Sequence, residues 1–181
     1  MSSGSDVLKF IYVRVPRTGS SSFVHYLETT FPTQCIDVGS QHSSAIELQE
    51  LWGDKWDEYH TFGFIRNPWD WLVSMYNANL SNGAWGKEPL PGAPAGHMRK
   101  AEYTFDDWVR ERQTTAIDWL SNREGKVLVD EIRLFEDFIP NSKIKVSDLK
   151  HPPYREWYDP ELVDYVAGKC KREIEIGNYS F

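Results

Sequence analysis

Two short segments of the 181-residue chain carry hydroxyls and guanidiniums at spacings suited to holding anions. The first, VRVPRTGSSSF, sets Arg17, Thr18, Gly19, Ser20, Ser21 and Ser22 between an apolar run and a helical pattern. One glycine permits a tight turn, hydroxyls and the open N–H groups of a helix start donate hydrogen bonds, and Arg17 adds positive charge. Phosphate-type anions are bound by that chemistry. A serine-rich helix cap without any ligand would carry the same residues. A nucleoside-triphosphate P-loop requires a second glycine followed by lysine, and both are missing. The second segment, FGFIRNPWDWLVSMY, places Arg66 at a strand end, Asn67-Pro68 at a helix start, and Ser74 eight residues after Arg66. Arg66 offers a fork to a second phosphate and Ser74 a hydroxyl along the helix flank. The structural alternative pairs Arg66 with Asp70 and packs Ser74 inside.

These groups converge only if the chain brings two strand ends to one edge of a sheet. Phe10 to Val15 reads as a buried strand, and Phe23, Tyr26, Leu27 and Phe31 follow at helical spacing. Cys35 to Val38 is a short strand, Ile46, Leu48 and Leu51 mark a helix, and Tyr59 to Ile65 is a third strand. Asn67 caps a helix with Pro68 at its first position and Leu72, Val73, Tyr76 and Leu80 as its apolar stripe. Helices are expected over Thr104–Gln113 and Thr115–Leu120, a strand over Lys126–Ile132, and a last helix from Asp159-Pro160. Strand–helix alternation predicts parallel βαβ units in a three-layer α/β domain, with ligands at the carboxyl edge of the strands. Asn79 to Gly96, with four Gly and three Pro, breaks both helix and strand and reads as a long loop of one domain spanning 1–181.

Four segments together resemble the sulfotransferases. PRTGSSSF is similar to their 5′-phosphosulfate loop, and RNPWDWLVS to their 3′-phosphate motif. VDEIRLFEDF resembles the strand and turn that precede the acceptor-side part. The tail from Tyr154 to Tyr179 looks like the end of carbohydrate sulfotransferases of the heparan, chondroitin and dermatan type. The resemblance implies a P-loop-like α/β fold with a central parallel sheet flanked by helices. It implies 3′-phosphoadenylyl sulfate (PAPS) as donor, 3′,5′-adenosine bisphosphate (PAP) as product, and no metal. Residues 17–22 would hold the 5′-phosphosulfate, Arg66 and Ser74 the 3′-phosphate, with Lys150 and Arg155 as further nucleotide contacts. The family usually has lysine where this chain has Arg17, and a planar fork reaches differently from a point charge.

Transfer also needs a base for the acceptor hydroxyl. Of His25, His42, His60, His97 and His151, His42 follows the second strand in VGSQHSS, on the same edge as both anion motifs. Relatives carry a His or Glu in that interval, so His42 is the expected base and Glu47 the runner-up; a surface histidine is the plain alternative. His25 is expected to face solvent or core, and His60 to pack against a helix. The Asn79–Gly96 loop is expected to cover the acceptor, and Trp52 and Trp85 to stack on a sugar or simply anchor structure. Arg99, Lys100, Arg110 and Arg112 alternate with acids as a solvated helix face.

Composition narrows the field. A net charge of −7 argues against a duplex nucleic-acid binder and against a long, heavily sulfated glycan as acceptor. A neutral sugar, a lipid-linked sugar or a small alcohol remains. Two cysteines make no disulfide framework or metal spacing. The start has neither the basic nor the apolar region of a secretory signal, and no run reaches membrane-span length, so a soluble cytoplasmic protein without membrane partner is expected. Two further function classes compete. A P-loop nucleotide kinase lacks its lysine here. A non-catalytic nucleotide- or sugar-binding relative would share the binding motifs.

Overall fold

The computed structural model describes residues 2–81, 104–138 and 152–181. The loop beyond Ser81, with Trp85, His97, Arg99 and Lys100, lies outside the described residues, as do Lys150 and His151. The chain divides into two compact units, Met1–Arg66 with Ala116–Ser147 and Asn67–Thr115 with Asp148–Phe181. Five strands, β1 (Ser2–Ser5), β2 (Phe10–Val13), β3 (Ile36–Val38), β4 (His60–Ile65) and β5 (Glu131–Leu134), are joined by eight α-helices among the described residues. The helices are α1 (Ser20–Thr30), α2 (Ala45–Trp52), α3 (Lys55–Glu58), α4 (Pro68–Ser81), α5 (Phe105–Glu111), α6 (Phe135–Phe138), α7 (Pro160–Lys169) and α8 (Lys171–Gly177).

The first unit is α/β, built on a mixed sheet of order β3-β1-β2-β4-β5. β2, β4 and β5 are parallel, with Tyr12 opposite Phe62 and Gly63 opposite Ile132. β1 is antiparallel to both of its neighbours, β2 and β3. The parallel centre is as expected, and the antiparallel β1 makes the sheet mixed. Ser2–Ser5 carries no β-rich pattern, and it enters the sheet through its backbone and through Gly4, where a Cβ would stand 2.5 Å from the Trp52 ring. Since β3 and β2 both oppose β1, they run the same way, and the ends of β2, β3 and β4 share one edge.

Phe10, Tyr12, Phe62 and Phe64 alternate onto one face and pack with Phe23, Val24 and Leu27 of α1. Phe23 stands edge-on to Tyr12 with centroids 4.7 Å apart, and Tyr12 stacks on Phe62 at 5.2 Å. Gly63 is fixed by close approach: a Cβ would meet Leu120 Cδ2 at 2.4 Å. Leu120 belongs to a 3-10 turn, Ala116–Leu120, where the sequence pattern predicts an α-helix. β5 begins later than expected. Residues 122–126 close a turn on the Asn122 side chain, and Val127 makes only an isolated bridge to Ser121.

The second unit is helical. Asn67 caps α4, its Oδ1 accepting from the amides of Trp69 and Asp70, with Pro68 at the first position as the sequence predicts. Tyr76, Phe105, Trp108 and Trp157 pack edge to face or stacked. Thr104 and Asp107 form a capping box at the start of α5. Lys169 on α7 donates to the carbonyls of Val109 and Arg112 at the end of α5, where a cation meets the negative end of the helix. No helix among the described residues is long and apolar enough to cross a membrane.

Candidate anion site at the carboxyl edge of the sheet

β2 ends at Val13, and the chain turns sharply before α1. Arg17 has φ 61° and Gly19 φ 70°. Glycine takes that conformation freely, but for Arg17 it costs about 1–2 kcal/mol. The Thr18 hydroxyl donates to the Val15 carbonyl at 2.8 Å and locks the turn from inside. Thr18, Ser20 and Ser22 are buried and Ser21 is exposed. α1 starts on Gly19 without a side-chain cap and with no acid in its first turn, so no side chain of its own offsets the positive end of the helix.

Arg66, just past the end of β4, reaches back to this turn. Its Nη1 donates to the Arg17 carbonyl at 3.2 Å, and its guanidinium lies 4.5 Å from the Phe135 ring centre. Burial, and then the neighbouring Arg66 charge, both disfavour the Arg17 cation. The two arginines stand close together in one half-buried place, and an anion beside them would be attracted by both.

His42 arrives from the loop after β3. Because β1 lies between β3 and β2, this loop has to pass the end of β1 to reach the turn. Ser43 holds it: buried, its Oγ accepts from the Ser40 amide at 2.9 Å. His42 Nδ1 sits 3.0 Å from the Arg14 carbonyl. A carbonyl only accepts, so Nδ1 carries the proton and the neutral ring keeps its lone pair on Nε2. His42 is exposed overall, yet its ring lies against the strand-end backbone. That desolvation is the main reason its pKa falls below the ordinary imidazole value. The Arg14 and Arg17 charges push the same way, and the bond to the Arg14 carbonyl opposes them. The imidazole is therefore neutral at neutral pH.

The structure thus brings together Arg17, Thr18, Gly19, Ser20, Ser21, Ser22, Arg66 and His42. Several other expectations are corrected. Glu47 caps α2, its Oε2 accepting from the Ser44 amide at 2.7 Å, which commits the runner-up base to a helix start. Of the two roles expected for Trp52, its burial against Tyr59 fits the structural anchor. His60 does not pack on a helix; its Nε2 is 2.9 Å from Glu131 Oε2. Arg112 is buried against Trp71 and Trp108, whereas a solvated face was expected; Arg110 does pair with Asp106 and Glu161. Thr18 turns its proton inward to Val15, so its hydroxyl serves the turn first.

Ser74 and Arg155 belong to the second unit. Ser74 is buried in α4, and Arg155 is exposed with its guanidinium over the Tyr154 ring. Sequence reasoning missed Arg14, a buried cation whose carbonyl orients His42. The available signal was a charged residue inside the apolar run FIYVRV. Among the described residues, no group of three or more His, Cys, Asp or Glu is arranged to hold a metal ion. Comparison of the chain with known protein families, curated proteins and solved structures gives no match.

Proposed function

We propose that the chain is a PAPS-dependent sulfotransferase with a three-layer, P-loop-like fold, moving a sulfuryl group to a hydroxyl of an acceptor, most simply a carbohydrate. The observation that carries this is the pairing of two like-charged groups, Arg17 and Arg66, with an oriented neutral imidazole at one sheet edge. Bis-anionic nucleotides suit the first feature, and a hydroxyl nucleophile suits the second.

In this reaction the acceptor oxygen attacks sulfur, the bond from sulfur to the bridging phosphate oxygen breaks, and PAP leaves with the electron pair. His42 Nε2 takes the acceptor proton, and the imidazolium is stabilised by its Nδ1–H bond to the Arg14 carbonyl. Arg17 stabilises the negative charge that builds on the bridging oxygen, and the first amides of α1 support the 5′-phosphate. Arg66 holds the 3′-phosphate. Ser74, Lys150 and Arg155 keep the nucleotide roles implied by the resemblance, but the proposal does not depend on them. A non-catalytic binder of the same nucleotide is the second reading, favoured by arginine in the place of the usual lysine.

Incubation with 35S-labelled PAPS and a panel of neutral sugars, lipid-linked sugars and small alcohols tests the proposal. Label should appear in at least one acceptor with release of PAP. PAP binding without transfer to any acceptor would favour the binder, and absence of both would remove the nucleotide altogether.

A further inference from the structure

The loop that delivers His42 is closed on itself by the side chain that follows it. Of residues 39–43 only Ser43 is buried, at 4% exposure. Its Oγ accepts from the Ser40 amide at 2.9 Å and lies 3.1 Å from the Ser40 hydroxyl, and its amide donates to the Ser40 carbonyl at 3.4 Å. Gly39 leaves room for that hydroxyl. It stands at φ 76°, and a Cβ there would lie 2.8 Å from Ser43 Oγ. The start of α2 is held separately, by the capping box of Ser44 and Glu47.

His42 sits between the two tied residues. Its ring reaches the strand-end backbone through Nδ1 and the Arg14 carbonyl, 28 residues back in the chain. Which ring nitrogen bears the proton is set by the bond the other one makes. One hydrogen bond is weak against the freedom of an untied surface loop, so it persists only where the loop backbone is already in place. The Ser40–Ser43 contacts supply that placement, and no rearrangement is needed to form them.

We propose that Ser43 is a positioning residue for His42: by closing residues 40–43 into a fixed loop, it holds Nδ1–H on the Arg14 carbonyl and keeps the lone pair on Nε2. The catalytic consequence rests on the base role given to His42 in the proposed function; the tautomer itself does not. Alanine at position 43 fills nearly the same space but removes the acceptor of the Ser40 amide. The loop then loosens, and a ring released into water is free to carry its proton on Nε2. In that form the ring can donate to an acceptor hydroxyl at Nε2 but cannot take its proton there.

The test is 15N NMR of the His42 imidazole at mildly alkaline pH, where the ring is neutral, with single-turnover sulfuryl transfer and PAP titration alongside. Native protein should carry the proton on Nδ1. Ser43→Ala should move a large share of it to Nε2 and slow transfer ~10-fold, short of the ~10²–10⁴-fold worth of a whole general base, with PAP affinity unchanged. Gly39→Ala crowds the same hydroxyl from the other side and should give the same spectral change; this arm stands even if Ser43→Ala fails to fold. Ser44→Ala weakens the start of α2 and should leave the native tautomer, which separates Ser43 from general loosening of the segment. A native tautomer in folded Ser43→Ala or Gly39→Ala, or an equal shift in Ser44→Ala, overturns the role of Ser43. The expected tautomers without transfer to any acceptor would overturn the base role and leave the positioning in place. A native ring protonated on Nε2 overturns both.

Discussion

The two edges of the sheet treat charge in opposite ways. At the amino edge, opposite charges are matched. Lys55 Nζ and the Tyr59 hydroxyl converge on Asp6 Oδ1, with the lysine at 2.8 Å. His60 and Arg133 both reach Glu131 Oε2, at 2.9 and 2.8 Å, and Asp130 accepts from the amide and hydroxyl of Thr61. These contacts join β4 to β5 and brace the hairpin between β1 and β2. At the carboxyl edge, like charges are gathered. Arg66 stands beside Arg17 and disfavours its cation after burial does, and burial, aided by Arg14 and Arg17, keeps the His42 imidazole neutral. Matched charge is what a fold uses to hold strands together. Several cations drawn to one strand end are what an anion-binding edge would need, whereas matched pairs do no more than hold strands.

The contrast is sharpest if each edge is broken in turn. The largest effect is expected at His42. His42→Ala should lower turnover ~10²–10⁴-fold, with nucleotide affinity nearly unchanged, because the base serves the acceptor. With its pKa lowered by burial, the native rate should hold at neutral pH and fall only at pH below the ordinary imidazole value of ~6.5. Single-turnover rates across pH check this, and the acid limb should vanish in the variant. A His42→Ala protein with native rates would leave the imidazole as a mere surface group.

Arg17 comes next. Arg17→Gly relieves the left-handed strain at φ 61° but removes the charge. The thermal midpoint should stay level or rise, while turnover drops at least a hundredfold. Arg17→Lys restores a cation in the same backbone conformation and should retain transfer. Loss of transfer in a folded lysine variant would detach this turn from the sulfotransferase loop it resembles.

The smallest effect belongs to the amino edge. Hydrogen bonds from Arg133 and His60 pull the Glu131 carboxyl down to about 2. A depressed carboxylate stabilises the fold fully above its unfolded value near 4.5 and loses that contribution as pH falls toward 2. Glu131 is 41% exposed, so solvent screening limits the contribution to at most about 1 kcal/mol. Denaturant melts of native protein and Glu131→Gln should differ slightly at pH 7 and converge near pH 2. Nucleotide binding should be the same in both.

The sequence made most of the candidate site legible because its parts are local. Glycine with a serine run marks a strand-to-helix turn, and Asn67-Pro68 marks a helix start; both features are where the spacing puts them. The short strand that precedes the His42 loop was also legible. What escaped depends on partners distant in sequence. β1 has no pattern of its own and joins the sheet because Gly4 fits beneath Trp52. Trp52 anchors structure because it is buried against Tyr59, whereas the capping box that commits Glu47 was a local S-x-x-E signal open to a sequence reading. Arg14 acts through its carbonyl, which no side-chain pattern records.

The central claim is that the carboxyl edge of the sheet is a nucleotide bisphosphate site, and Arg66 tests it most directly. Its guanidinium touches the turn through the Arg17 carbonyl and lies over the Phe135 ring. Calorimetric titration of PAP into native protein and Arg66→Ala, at two salt concentrations, measures the claim without any acceptor. Loss of a desolvated guanidinium–phosphate pair costs about 2–5 kcal/mol, so affinity should fall at least tenfold, and native binding should weaken at higher salt. Equal affinity in a folded Arg66→Ala protein would contradict the assignment.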